Sequence, residues 1–78
     1  MDYEFWLEKA KVNIEKMPPT HIFLAKDLFV GSEWLTLKRG ERLSFGKYFK
    51  NAVLEGEIPG VEYIGKANNN SAQYKKWR

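Results

Sequence analysis

KRGERLSFGKYFKNAVLEGEIPGVEYIGK, residues 38–66, contains the change of period that decides the fold. Up to Glu55 the apolar residues recur at helical spacing: Leu43, Phe45, Phe49, Ala52 and Val53 form a broad stripe, with Lys47 and Lys50 on another face. Gly56 is suited to close this helix, and Pro59-Gly60 marks a turn. From Val61 the period drops to two. Val61–Lys66 and Ala72–Trp77 read as strands joined by the turn-rich loop Ala67-Asn68-Asn69-Asn70-Ser71, hence a β-hairpin with a flexible tip. Gly46 inside the helix costs about 1 kcal/mol relative to Ala, so it suggests a close helix contact there.

Upstream of this stretch, Asp2–Met17 carries Phe5 or Trp6, Leu7, Ala10, Ile14 and Met17 at helical spacing. Asp2 suits the N-cap, Glu4 the positive end of the dipole, and Pro18-Pro19 must stop the helix. His21–Leu24 reads as a brief first strand. Ala25–Val30 reads as a short helix that buries Leu28 and Phe29, with Gly31 ending it in a left-handed conformation. Ser32–Leu35 then reads as the turn of a helix-turn-helix. The expected order is helix, short strand, helix, turn, helix and β-hairpin. The expected fold is therefore α+β, a winged helix-turn-helix in which three helices share one core and the lone strand joins the hairpin as a third strand.

With 78 residues, one core is all the chain can form: residues 1–19 as the N-terminal helix, 20–60 as the helix-turn-helix core and 61–78 as the wing. At 44% hydrophobic it is too apolar for a disordered chain, and no apolar run reaches the roughly 20 residues of a membrane span. Met1–Phe5 holds two acids and no basic region, unlike a secretory signal. No cysteine is present, which excludes a disulfide framework and thiolate metal sites and fits a cytoplasmic protein.

Charge is unevenly distributed. Residues 1–33 carry four basic and six acidic groups, a balance of −2, whereas residues 34–78 carry nine basic and four acidic, a balance of +5. A basic C-terminal half can attract a polyanion by releasing its counterions. The helix supplies Lys38, Arg39, Arg42, Lys47 and Lys50. The hairpin supplies Lys66, Lys75, Lys76 and Arg78, interleaved with Tyr63, Tyr74 and Trp77. One reading makes the helix cations a solvated face, with Arg42 paired to Glu41 or Glu33; the other makes them phosphate contacts. Lysines beside exposed rings suit single strands, because lysine neutralises the backbone and a ring stacks a base. Strand alternation turns some rings inward: Tyr74 is the expected core or pocket residue and Trp77 the exposed ring. Trp34 and Phe29 read as packing. Phe5 and Trp6, adjacent on a helix, cannot both face the core, so one is a candidate partner surface.

His21 has no second histidine or cysteine beside it, and Glu55, Glu57 and Glu62 flank a turn as solvated acids. No nucleophile motif, phosphate-binding glycine loop or metal-ligand spacing is present, so an enzyme and a cofactor are not expected.

The run Phe23-Leu24-Ala25-Lys26-Asp27-Leu28-Phe29, then Trp34, Leu37 and Gly40-Glu41-Arg42-Leu43-Ser44-Phe45-Gly46-Lys47-Tyr48-Phe49, continued by Val53, Gly56, Ile58, Gly65-Lys66 and Tyr74, resembles a domain family of formerly unknown function. Its members are small proteins carried by bacterial mobile elements, including staphylococcal cassette chromosomes. The resemblance covers roughly residues 20–76. It implies a winged helix-turn-helix and, for at least some members, binding of single-stranded DNA near element-encoded replication genes. Under that resemblance the expected function is single-stranded DNA binding with weak sequence preference, with replication proteins of the same element as further partners. Two alternatives stay open: a sequence-specific duplex regulator, and an accessory subunit of a polymerase, primase or helicase.

Overall fold

The structure is a computed structural model and describes residues 2–29, 31–67 and 71–77. In chain order its elements are helix α1 (Tyr3–Glu15), strand β1 (Ile22–Leu24), a 3-10 turn (Ala25–Leu28), helices α2 (Gly31–Leu35) and α3 (Arg39–Leu54), and strands β2 (Val61–Lys66) and β3 (Ala72–Lys76). The three strands form one antiparallel sheet in the order β1-β3-β2. The protein is thus α+β, with the lone strand paired to the hairpin in the arrangement expected of a winged helix. The expected wing tip at Asn68–Asn70 lies outside the described residues, as does Val30.

Each helix end has a local cause. The Asp2 carboxylate accepts the Phe5 backbone N–H at 3.1 Å and starts α1. At the other end, the Lys76 ammonium donates to the Glu15 and Met17 carbonyls at 3.2 and 2.7 Å, which satisfies acceptors that α1 leaves open before the two prolines. Glu41 accepts the Lys38 N–H at 2.9 Å and starts α3. Gly56, with φ of 78°, ends it in the left-handed region where a side chain would be strained. Gly65, at φ 111°, sits at the bulge where the β2–β3 register shifts between Tyr63 and Gly65.

The core is aromatic. Phe23, Phe45, Phe49 and Tyr74 are essentially fully buried, with Ala10 and Leu28 packed among them. Tyr74, on the central strand, stacks on Phe23 across β1 and meets Phe49 of α3 edge-on. Trp34 lies nearly parallel to Phe29 at 5.7 Å between centroids, as the packing reading expected. Asn13 of α1 donates to the Leu28 carbonyl and fastens the helix to the 3-10 turn.

Four expectations are corrected. Leu43 is 61% exposed rather than core, because the buried stripe through Phe45, Phe49, Ala52 and Val53 lies about 200° from a residue two positions before Phe45. Gly46 has no atom within 4 Å of where a Cβ would stand, so it makes no close helix contact. Gly31 does not end a helix in the left-handed region; it begins α2, and the expected helix at Ala25 is a single 3-10 turn. Ser32–Leu35 is α2 itself, and the turn falls at Thr36–Lys38, where Leu37 is buried.

Candidate nucleic-acid interface

Beside its core stripe, α3 carries Arg39, Arg42, Leu43, Gly46, Lys47 and Lys50. These residues form one wall of a cleft of about 540 Å³. The 3-10 turn contributes Lys26, and the hairpin closes the far side with Lys66, Ser71 and Ala72. Trp34, Leu24 and Tyr74 give the cleft an apolar part. Among the described residues, six cationic side chains line it, from Lys26, Arg39, Arg42, Lys47, Lys50 and Lys66, and no acid does.

Neighbouring acids are held elsewhere by the caps that build the elements. Asp27 accepts the Leu24 N–H at 2.9 Å, Glu41 accepts that of Lys38, and Glu33 pairs with Lys9 of α1. Arg42 therefore pairs with neither Glu41 nor Glu33, the two partners considered for it. Its Nη2 donates to the Leu35 carbonyl at 3.3 Å, while its Nε is buried and without a partner. Lys50 places its ammonium 4.5 Å from the Tyr63 ring centroid, a cation–π contact.

Tyr74, 0% exposed, lines the cleft from the core side, and its hydroxyl also lacks a hydrogen-bond partner. Burial, with a smaller contribution from Tyr63 beside it, pushes the phenol up to about 12, so it stays protonated at physiological pH.

Not every expected cation reaches the cleft. Lys38 starts α3 and lies off the lining. Lys76 does not face a ligand but closes the end of α1, because strand alternation puts it on the same side of β3 as Tyr74. Lys75 and Trp77 point to the other side. The Lys75 ammonium lies 4.1 Å from the Trp77 ring centroid, and the indole N–H donates to Glu62 at 2.7 Å. Trp77 is 51% exposed, yet one face of its ring is occupied by Lys75, and this cluster is separate from the cleft. Arg78 lies outside the described residues.

The sequence reading missed Lys26 and the unpartnered Tyr74 hydroxyl. Lys26 sits in the net-acidic half of the chain, and only the fold brings it against α3. On α1, Phe5 rather than Trp6 is the outward ring: Phe5 is 59% exposed, whereas Trp6 packs on Phe29. Among the described residues no helix is long and apolar enough to cross a membrane.

No curated protein and no solved structure matches the chain. One family model does, over residues 8–76, which reaches into α1 beyond the region in which the resemblance was expected. Spanning both walls of the cleft, that match shows that the chain belongs to the family described as a domain of unknown function, DUF1413.

Proposed function

We propose that the protein binds single-stranded DNA with weak sequence preference, without catalysis, and serves the replication or transfer of a mobile genetic element. The observation that carries the reading is the cleft between α3 and the hairpin, lined by six cations and no acid among the described residues. Such a lining attracts a polyanion and exchanges its counterions for protein charges. The apolar part beside Trp34 and Leu43 supports a single strand, whose unpaired bases carry apolar faces that a duplex keeps stacked. Asn51, the one side-chain amide on α3, is exposed but does not line the cleft, so no adenine-reading amide of that helix faces it.

Fluorescence anisotropy of one labelled sequence, as single strand and as duplex, tests this at several salt concentrations. The single strand is expected to bind more tightly, with log K falling against log salt at a slope of about −4 if all six cations meet phosphates. Tighter duplex binding replaces the reading with a duplex regulator. Binding to neither replaces it with an accessory subunit of a polymerase, primase or helicase, a reading favoured by the outward Phe5 and Val12 on α1.

A further inference from the structure

Glu62 and Lys66 both lie on β2, at a spacing that puts two side chains on one face of a regular strand. The structure separates them. Glu62 stands opposite Lys75 and accepts the Trp77 indole N–H on the outer face of the sheet. Lys66 stands opposite Ala72, which packs against the core, and both line the cleft. Their partners Lys75 and Ala72 differ in parity along β3, so β3 itself alternates regularly and the irregularity belongs to β2. Where β3 advances one residue, from Tyr74 to Gln73, β2 advances two, from Tyr63 to Gly65, and Ile64 is the extra residue of a bulge. Gly65 has a φ of 111° and no atom within 4 Å of where a Cβ would stand, so glycine supplies backbone conformation there rather than space.

We propose that this bulge aims Lys66 into the cleft, which makes Gly65 a positioning residue for the bound strand. The proposal rests on the strand-binding reading above and adds to it the device that sorts the charges of β2. An unbroken ladder turns Lys66 to the face of Glu62, Lys75 and Trp77 and takes one of the six cations off the cleft. The bulge brings the ammonium in and leaves the Glu62 carboxylate out, although their positions in the strand would put them together.

Binding of oligothymidylate by the full chain tests this with a double-mutant cycle. Lys66→Ala is expected to bind about three- to tenfold more weakly, with a salt slope about 0.7 shallower. Gly65→Val disfavours the positive φ and regularises the ladder, so it is expected to match Lys66→Ala in both readouts, and the double variant to be no weaker than either. Deletion of Gly65 removes the extra residue instead: Ile64 then takes Gln73 as partner and the lysine keeps Ala72. That variant is expected to retain the wild-type affinity and slope, which a merely structural need for glycine would not allow. In a second arm without DNA, nuclear Overhauser contacts between the Lys66 methylenes and the Ala72 methyl are expected in the wild type and lost in Gly65→Val.

Wild-type affinity and slope in Gly65→Val, additive losses in the double variant, or a Lys66→Ala-like loss on deletion of Gly65 each overturn the positioning role and leave the strand-binding reading standing. Should Gly65→Val not fold, the deletion variant decides alone. Absence of any oligothymidylate binding by the wild type overturns the strand-binding reading instead, and the Lys66–Ala72 contacts then decide the bulge: their loss in Gly65→Val upholds it, and their persistence overturns it.

Discussion

Two lysines of similar sequence context have opposite tasks. Lys47 is exposed on the cleft wall, whereas Lys76 is spent on the Glu15 and Met17 carbonyls. Lys47→Ala is expected to weaken single-strand binding and reduce the salt slope by about 0.7, with little change in melting temperature. Lys76→Ala is expected to do the reverse: a loss of about 1–2 kcal/mol in chemical denaturation, with the salt slope intact. Equal effects of both on binding would show that the cleft is not the interface. Tyr74 adds a pH dependence. Its folded pKa lies above the ordinary 10, near 12, so its contribution is complete below pH 10 and is lost as pH rises toward 12. Denaturation midpoints followed through that window should fall for the wild type, and Tyr74→Phe should remove this residue's share of the fall.

At the level of elements, α3 carries two stripes that serve different ends. Phe45, Phe49, Ala52 and Val53 face the core, while Arg39, Arg42, Gly46, Lys47 and Lys50 face the cleft. Gly46 lies on the second stripe with open space where a Cβ would stand. Gly46→Ala is therefore expected to stabilise the helix by about 0.5–1 kcal/mol, raising the melting temperature by a few degrees in a calorimetric scan. A lower melting temperature would mean that the position is more crowded than the structure shows. The two stripes were largely legible in the sequence because helical period survives in the order of residue types. The placement of Leu43 was not, since apolar character alone does not fix an angle around the axis. Nor were the roles of Gly31 and Ser32–Leu35: five residues are too few to display a period, and their helix is held by the stacking of Trp34 on Phe29.

Over the whole molecule, the element order and the hairpin followed from punctuation by Pro18-Pro19, Gly56 and Pro59-Gly60. The cleft itself did not, because it joins Lys26, α3 and Lys66, which are distant in sequence and adjacent only after the sheet closes. The same closure depends on Phe45, which touches Trp6, Phe29, Trp34, Tyr48 and Phe49. Phe45→Ala is expected to cost about 3–5 kcal/mol, much of the stability a domain this small has, and to broaden or abolish the cooperative unfolding transition.

The strand order β1-β3-β2 also governs how the molecule comes into being. The middle strand is the last of the three to be made, and Ile22 must await Lys75 before β1 has any neighbour in the sheet. A nascent chain still held in the ribosome at the wing tip therefore exposes Phe23, Phe49 and two unpaired strand edges, and it lacks Tyr74, which they enclose in the finished core. Translation of this protein leaves no room for gradual assembly of the sheet: its centre arrives late, and a stalled chain that stops short of β3 is a ready substrate for chaperones and proteases.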